Sequence, residues 1–307
     1  MKTSYDTTAF AKINLFLRIC GKYDNGYHRL YMLMQEIGIG DEIFVEFDDD
    51  RAFCIDIESE VDINKEKDLG YRAAKAFYDK YESILRAQGR PSVEFPYTLI
   101  KEMKKVPSQA GLGGGSSDAA SVLMIMQQHF DNPLEEEDLL EISTKLGADV
   151  PFFTKGGTCI CEGVGENVTE LPGLDGIPVI LVKPEGGVST PECYALSDEK
   201  PCTYTEEYKE KLNSIFGNEK LRPIDRIKEA AEYLTNDLQE PAEQILPVIK
   251  DITDAIKETG AVYTAMTGSG SCVFGIYEDD KKTEDAQARL SEDSRISGCQ
   301  LIPTVMI

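Results

Sequence analysis

Four glycines lie within five positions of the stretch VPSQAGLGGGSSDAA, which runs from Val106 to Ala120. Each glycine placed inside regular structure costs roughly 0.5–1 kcal/mol of backbone entropy, so this run predicts a segment that needs bare backbone. Small apolar residues at helical spacing follow, which predicts that the glycines lead into a helix N-terminus. Free amides and the positive end of the helix dipole bind anions there, and absent side chains let a phosphate chain approach. The stretch therefore indicates either a phosphate site or a tight helix-entry loop without a ligand.

Two familiar nucleotide-binding motifs do not fit these glycines. A P-loop requires a lysine directly after its last glycine, and this chain has Ser116 there. A dinucleotide fingerprint counted from Gly111 meets Ser116 where its third glycine should stand. Counted from Gly113, the same fingerprint meets Asp118. Three lysines upstream either support an anion site or form a solvated strand edge: Lys101, Lys104 and Lys105.

Hydrophobic periodicity predicts the helices that position this stretch. Residues 69–87 are predicted to form an amphipathic helix. After the glycines, Ser116 or Ser117 is placed to cap a helix whose first turn contains Asp118. Pro133 is the predicted first residue of the next helix, because proline is favoured at that position.

The chain is long enough for two domains, and LPGLDGIP (171–178) is the predicted hinge between residues 1–172 and 173–307. Beyond the hinge we predict a strand, a mainly helical segment over roughly 205–258, and two apolar strands around a second glycine turn. Strand pairs and helices are mixed without regular strand–helix–strand alternation. This mixture predicts an α+β fold.

Composition limits the classes of partner. The chain has 307 residues and a net charge of −23, from 32 basic and 55 acidic residues. Nucleic acids and anionic membranes would repel such a body, so neither is an expected partner. No signal-peptide core and no apolar run near the ~18 residues of a membrane span is seen, and the eight cysteines form no CxxC pairs. We therefore expect a cytoplasmic protein with free thiols and no metal site.

The glycine stretch resembles the phosphate loop of the GHMP kinases, a family that includes galactokinase, homoserine kinase and mevalonate kinase. Further motifs in the same chain order make the sequence similar to the 4-diphosphocytidyl-2-C-methyl-D-erythritol kinases within that family. The motifs are AKINLFLRICGKYDNGYHRLYMLMQEIGIGDEI (11–43), VPSQAGLGGGSSDAA (106–120), LGADVPFF (146–153), VSTPECY (188–194), NDLQEPA (236–242) and MTGSGSCVFGIY (266–277). The AKINL and GYH segments are specific to this member, whereas the glycine loop marks only the superfamily.

This resemblance implies a two-domain GHMP kinase fold, with an N-terminal ATP-binding domain that carries the loop and a ferredoxin-like C-terminal domain. It implies ATP-dependent phosphorylation of the 2-hydroxyl of 4-diphosphocytidyl-2-C-methyl-D-erythritol, a step of the non-mevalonate (MEP) isoprenoid pathway. Magnesium is expected to arrive with ATP, with Ser116 or Ser117 as its candidate contact. Two alternatives remain, another GHMP small-molecule kinase of the homoserine or mevalonate type and a catalytically silent nucleotide-binding relative. The sequence indicates no oligomeric state.

The resemblance assigns the catalytic roles to Lys12 and Asp149. An alcohol must lose its proton as it attacks the γ-phosphate, so a carboxylate within hydrogen-bond reach can serve as general base. An ammonium beside that carboxylate keeps it ionised and offsets charge on the phosphoryl group. From the residue types alone, Lys12 would be a surface residue and Asp149 a helix-end cap.

The resemblance also implies two sets of binding residues. The residues expected to hold the ATP phosphates are Pro107, Ser108, Gln109, Ala110, Gly111, Leu112, Gly113, Gly114, Gly115, Ser116 and Ser117. The family stacks its cytosine between two aromatic rings and contacts the base edge with main-chain and imidazole groups. The residues expected to bind this substrate are Asn14, Tyr27, His28, Thr190 and Tyr194. Taken singly, Tyr27 would be an ordinary turn aromatic, and His129 is expected to be structural.

One position departs from the family pattern. Asp68 stands where the family usually has an asparagine that helps hold the adenine side. An ionised aspartate can only accept hydrogen bonds, which changes what this position can offer a nucleotide.

Overall fold

The computed structural model describes residues 1–60, 64–199 and 204–307. Within these residues the strands are β1 (Lys2–Lys22), β2 (His28–Asp48), β3 (Ile55–Ser59), β4 (Tyr97–Met103), β5 (Thr158–Gly163), β6 (Asn167–Glu170), β7 (Pro178–Lys183), β8 (Tyr263–Met266), β9 (Val273–Ile276) and β10 (Gln300–Val305). The α-helices are α1 (Leu69–Ala87), α2 (Gly114–His129), α3 (Glu136–Leu146), α4 (Val150–Phe153), α5 (Thr190–Ser197), α6 (Glu206–Phe216), α7 (Pro223–Ala230), α8 (Gln239–Ile245), α9 (Val248–Glu258) and α10 (Asp280–Glu292). The described chain divides into two compact units.

The first unit comprises Met1–Ala11, Ile39–Val106 and Gly113–Lys155. In it, β4 pairs antiparallel with the second half of β2 and parallel with β3. Helices α1, α2 and α3 pack against one another. Strand and helix side chains share one apolar core, with Phe47 and Phe77 among its most buried members. Residues of α2 between positions 119 and 126 contribute to this core.

Helix α1 spans Leu69–Ala87, as its periodicity predicts. Asp68 is its N-cap, and the carboxylate accepts a hydrogen bond from the Tyr71 backbone N–H at 3.1 Å. Aspartate is among the best N-cap residues because it satisfies an amide that has no partner within the helix. The acceptor-only side chain at position 68 therefore has a structural role at this helix end.

Helix α2 begins earlier than predicted, at Gly114, so the assignment of Ser116 or Ser117 as its cap is wrong. Its N-cap is Gly113, with a left-handed φ of 75° and no side-chain cap, and Asp118 lies beyond the first turn. Glycine takes this backbone conformation without steric cost, so the helix can start inside the glycine run.

Helix α3 begins later than predicted, at Glu136 instead of Pro133. Asp131 and Asn132 have φ values of 60° and 53°, which place the preceding backbone in the left-handed region. Since the chain is still turning there, the proline cannot open a helix.

The second unit comprises Lys12–Gly38, Pro107–Leu112 and Gly156–Ile307. Its four-stranded antiparallel sheet has the order β10-β7-β9-β8, and α9 and α10 pack against these strands. Along the chain, β7 is followed by helices, the β8–β9 pair, α10 and β10, which is the split βαβ arrangement of ferredoxin-like folds. The predicted α+β class and ferredoxin-like C-terminal part are confirmed. The boundary between residues 172 and 173 stays a prediction.

Two further strands, β5 and β6, belong to the second unit. β5 pairs antiparallel with residues 30–35 of β2 on one side and with β6 on the other.

Each helix within the described ranges is too short or too polar to cross a bilayer. All seven cysteines in the described part of the chain are free thiols.

Candidate active site

Lys12 lies on β1 and is buried, with only 2% of its surface exposed. Its Nζ donates a hydrogen bond to Asn14 Oδ1 at 2.6 Å. Its backbone N–H donates to the carbonyl of Leu112, in the glycine stretch, at 3.0 Å. The surface position suggested by the residue type alone is therefore wrong, because β1 carries this lysine through the interior of its unit.

Thr267, in the turn between β8 and β9, connects Asn14 to the glycine stretch. Its hydroxyl accepts from the Asn14 backbone N–H at 3.0 Å and donates to the Gly111 carbonyl at 3.1 Å. A Cβ on Gly111 would lie 2.1 Å from the Thr267 carbonyl oxygen, and its φ of 74° is in the left-handed region. Position 111 therefore requires glycine because the backbone of the β8–β9 turn lies against it.

The NDLQEPA motif holds that same turn from another direction. Asn236, 6% exposed, donates from Nδ2 to the carbonyls of Met266 at 2.7 Å and Gly268 at 2.8 Å. Gln239 Oε1 accepts from the Met266 backbone N–H at 2.9 Å. From the sequence alone no role could be assigned to the residues of this motif, because their hydrogen-bond partners are distant in the chain.

The remaining glycines form the first turn of α2, in the first unit. Gly114, Gly115 and Ser116 supply amides that have no partner within the helix, since the first i to i−4 bond runs from Ser117 N to Gly113 O at 2.9 Å. Ser116 is partly exposed, whereas Ser117 is 2% exposed. An anion at this helix N-terminus would meet the Ser116 side of the turn.

Asp149 immediately precedes α4 in the first unit and is half-buried. It occupies the N-cap position of that helix, but its side chain makes no capping hydrogen bond. Asp149 therefore lies at a helix end, as its residue type alone suggests, but without a capping hydrogen bond from its side chain. Asp149 directly precedes the buried Val150, the first residue of α4.

The three lysines upstream of the glycines are each paired with carboxylates. Lys101 Nζ lies 2.8 Å from Glu58 Oε2, and the Lys105 ammonium contacts the Glu42 carboxylate. Lys104 is the inner member, with Nζ 2.5 Å from Asp41 Oδ2 and in contact with Asp118. Asp41 and Asp118 are 0% and 2% exposed.

Asp118 and Glu102 are buried carboxyls with perturbed proton affinity. Burial raises the pKa of Asp118 to about 8, although the Lys104 ammonium opposes that rise. Burial, followed by the charge of Asp68, raises the pKa of Glu102 to about 7. Sequence reasoning missed this cluster, because nothing local distinguishes a buried acid from a solvated one.

The predicted substrate residues His28 and Tyr194 lie together in the second unit. Their rings stack with centroids 4.6 Å apart at an interplanar angle of 23°. His28 Nε2 lies 2.6 Å from Asp198 Oδ1, and Lys22 Nζ lies 2.6 Å from Asp198 Oδ2. Tyr27 precedes His28 directly and is 65% exposed.

Thr190 begins α5, and its hydroxyl lies 2.7 Å from that of Ser269 in the β8–β9 turn. His129, by contrast, is structural as predicted. Its ring stacks on Phe47 at 3.7 Å, and burial lowers its pKa.

A cavity of about 820 Å³ in the second unit borders the His28 side chain. Its lining mixes apolar residues with polar side chains, among them Lys22, His28, Asp198, Asn236, Asp237 and Glu243. Within the described ranges, no three His, Cys, Asp or Glu side chains are placed to bind one metal ion. The polar groups of this region are suited to hydrogen-bonding an organic ligand.

Comparisons with known proteins agree with this arrangement. The model of the GHMP kinases N terminal domain matches residues 68–157, and that of the GHMP kinases C terminal matches residues 220–295. A 4-diphosphocytidyl-2-C-methyl-D-erythritol kinase of Acetivibrio thermocellus is 36% identical over 281 residues, covering 91% of this chain and 92% of that protein. The enzyme of the same name from Clostridium beijerinckii is 37% identical over 284 residues, covering 90% and 92%.

Solved structures lead to the same family. A crystal structure of 4-(cytidine 5'-diphospho)-2C-methyl-D-erythritol kinase is 28% identical, covers 98% of this chain and 99% of that one, and superposes with a TM-score of 0.71. Homoserine kinase from Cytophaga hutchinsonii has a TM-score of 0.73 at 18% identity, with 100% and 96% covered, and so supports the fold alone. This chain belongs to the GHMP kinases and, among them, to the 4-diphosphocytidyl-2-C-methyl-D-erythritol kinases.

Proposed function

We propose that this protein transfers the γ-phosphoryl group of ATP to the 2-hydroxyl of 4-diphosphocytidyl-2-C-methyl-D-erythritol in the MEP pathway of isoprenoid biosynthesis, in the cytoplasm. The observation that carries the proposal is the buried Lys12, bonded to Asn14 through its ammonium and to the glycine stretch through its backbone. Thr267 joins the same two segments a second time. The substrate follows from the relatives, which carry this name over nine-tenths of the chain.

The proposed chemistry is a direct in-line displacement. The 2-hydroxyl oxygen attacks the γ-phosphorus, its proton passes to the Asp149 carboxylate, and the bond from the γ-phosphorus to the bridging oxygen breaks to release ADP. Lys12 offsets negative charge on the transferring group. Asn14, held by Lys12 and Thr267, orients the alcohol end of the substrate.

The proposed nucleotide cradle consists of residues 107–117. Amides of the first turn of α2, together with the helix dipole, hold the phosphates of ATP. Magnesium, when bound, neutralises charge on the β- and γ-phosphates, and the partly exposed Ser116 hydroxyl fits a contact to it better than the buried Ser117. Lys104 is engaged by two buried aspartates, so we assign it no phosphate contact.

The cytidine end of the substrate is proposed to bind at Tyr27, His28 and Tyr194, with Thr190 nearby. Aromatic faces stack on a pyrimidine irrespective of its edge, so Tyr27 and Tyr194 contribute affinity. The imidazole and the neighbouring main chain then discriminate between base edges.

A substrate panel tests this function. Purified protein with ATP and magnesium is offered 4-diphosphocytidyl-2-C-methyl-D-erythritol, homoserine or mevalonate, with ADP release and phosphorus NMR of the product as readouts. We expect ADP and the 2-phosphate from the first substrate alone. Turnover of homoserine or mevalonate without turnover of the cytidine compound would refute the proposal.

The Asp149→Asn variant should bind both substrates, yet its kcat should be lower than that of the wild type by a factor on the order of 10² or more.

A further inference from the structure

Asp41 lies on β2, is completely buried, and accepts hydrogen bonds from the segment that follows β4. Its Oδ1 accepts from the backbone N–H groups of Lys105 at 2.5 Å and Val106 at 2.8 Å. Its Oδ2 lies 2.5 Å from the ammonium Nζ of Lys104. Three consecutive residues thus donate to one buried carboxylate, which fixes the course of this backbone next to β2.

The segment held by Asp41 lies against the start of α2. A Cβ on Gly114 would come within 3.1 Å of Val106 Cγ1 and 3.4 Å of Asp41 Oδ2, so glycine lets the two segments pack this closely. The ammonium of Lys104 also contacts the carboxylate of Asp118, one turn further along α2. All of these contacts lie within the first unit. Asp41 therefore reaches the first two turns of α2 through two neighbours, Val106 and Lys104.

The first turn of α2 has no side chain of its own to orient it. Its N-cap, Gly113, provides no side-chain hydrogen bond, and the amides of Gly114, Gly115 and Ser116 have no partner within the helix. Hydrogen bonds from amides to a phosphate weaken steeply as their distance and angle depart from the optimum. A small displacement of this helix end would weaken several such bonds together, and its contacts with the segment held by Asp41 oppose that displacement.

We propose that Asp41 is a positioning residue for the phosphoryl donor, which holds the first-turn amides of α2 in the orientation that binds the phosphates of ATP. The inference rests on the proposed function, in which these amides contact ATP. Because Asp41 is completely buried, it acts through Val106 and Gly114 and does not contact the nucleotide. The alcohol is proposed to bind at other residues, so loss of the Asp41 carboxylate should weaken binding of the nucleotide alone.

ATP binding by Asp41→Asn tests this role. Asparagine has nearly the same shape, but its amide nitrogen faces either Lys104 or the two backbone N–H groups, and none of these can accept a hydrogen bond. We expect the ATP Kd, measured by calorimetry without the alcohol, and the KM of ATP to rise about tenfold. The kcat and the KM of the alcohol should stay within about twofold of wild type. Wild-type ATP affinity in folded Asp41→Asn would overturn the proposal.

Val106→Ala tests the same link without changing a charge, and it serves as the test if Asp41→Asn does not fold. Val106 is 7% exposed, so shortening its side chain leaves a gap against Gly114. The ATP Kd should therefore rise several-fold. A wild-type ATP Kd in this variant would equally contradict the proposal.

Asp48→Asn is the matched control, because Asp48 is a second buried carboxylate on β2, 3% exposed. Its Oδ1 accepts from the backbone N–H of Asp50 at 3.1 Å, and its Oδ2 lies 3.6 Å from Lys2 Nζ, at the end of the strand. The substitution should keep the wild-type ATP Kd, even where denaturant unfolding shows the same loss of stability as in Asp41→Asn. An equal rise of the ATP Kd in both variants would overturn the proposal.

Backbone amide signals provide a readout that needs no nucleotide. In nitrogen-15 spectra, Asp41→Asn should shift the amide signals of Gly114 and Gly115, whereas Asp48→Asn should leave them in place. Unshifted signals in Asp41→Asn would overturn the proposal. If the wild-type protein binds no ATP, the proposed function fails, and these spectra still decide whether Asp41 orients the first turn of α2.

Discussion

Lys12 is a charged side chain that its strand carries into the protein interior. Burying an ammonium is costly unless it is paired and hydrogen-bonded, and its short contact with Asn14 offsets part of that cost. Asp149 differs, because it is a half-buried carboxylate at the N-cap position of α4 whose side chain makes no capping hydrogen bond.

Glu102 shows how burial and a neighbouring carboxylate can change the pKa of a residue that has no catalytic role in our proposal. It is 4% exposed, and its Oε1 has no hydrogen-bond partner among the described residues. Its Oε2 accepts from the Ser59 hydroxyl at 3.2 Å. Burial and the neighbouring Asp68 raise the pKa of Glu102 to about 7, above the ~4.3 of an unfolded glutamate.

This pKa predicts a pH-dependent stability. Between these two pKa values the folded protein binds the proton more tightly than the unfolded chain, so the stabilisation is present at low pH and is lost as pH rises through about 7. Glutamine cannot ionise, so the unfolding free energy of Glu102→Gln should gain about 2 kcal/mol on wild type between pH 5 and pH 8. Denaturant unfolding at both values measures this gain.

Glu58→Gln is the control for that comparison, because Glu58 lies on the adjacent strand with its side chain 62% exposed. Its difference from wild type should change little with pH. A pH-independent difference for Glu102→Gln would show that Glu102 is already ionised in the folded protein.

At the scale of elements, the turn between β8 and β9 connects distant segments of the second unit. Thr267 bonds β1 and the glycine stretch, and Asn236 bonds the carbonyls on both sides of Thr267. Gly111 allows the close approach of the two backbones. The turn therefore sets the position of Asn14 and of the loop carbonyls together, so a change in it should affect both substrates.

Thr267→Val tests this turn with a side chain of nearly the same shape. The change leaves the Asn14 N–H and the Gly111 carbonyl without their partner in a buried place, which should lower the unfolding free energy by about 1–3 kcal/mol. We also expect the KM values of ATP and of the alcohol to rise together, as measured by initial rates.

Thr264→Val is the matched control, three residues earlier in the same region. The Thr264 hydroxyl is buried and has no hydrogen-bond partner among the described residues. Its removal should be neutral or slightly stabilising, because no hydrogen bond is lost. Equal destabilisation by the two substitutions would mean that the Thr267 hydroxyl does not hold the turn.

At the scale of the whole molecule, an acidic protein has to capture two anionic substrates. The net charge is −23, and the three lysines next to the glycine stretch are already paired with carboxylates. Long-range attraction is therefore unavailable from those lysines, and capture depends on backbone amides and the helix dipole at short range.

We predict that kcat/KM for ATP rises with ionic strength between 20 and 200 mM salt, by about two- to fivefold, because salt screens the repulsion between protein and nucleotide. The rate at saturating substrate should change little over the same range, since capture does not limit it. A kcat/KM that falls with salt would mean that local positive charge outweighs the net charge of the molecule.

Local patterns predicted those parts of the fold that depend on neighbouring residues. Helix α1 has the predicted bounds because its apolar face repeats along one continuous segment. The predicted starts of α2 and α3 were wrong, since serine and proline preferences were outweighed by left-handed backbone at Gly113 and at Asp131 and Asn132.

By itself the sequence determined the family, the order of its motifs and the α+β class, because each depends on residues that are contiguous in the chain. Only the tertiary structure decided that Lys12 is buried, that Thr267 meets Asn14 and that Asp198 meets His28. These last two pairs are separated by 253 and 170 positions. A hydrogen bond between such distant residues leaves no local periodicity or spacing, and it exists only once strand pairing and core packing have brought the segments together.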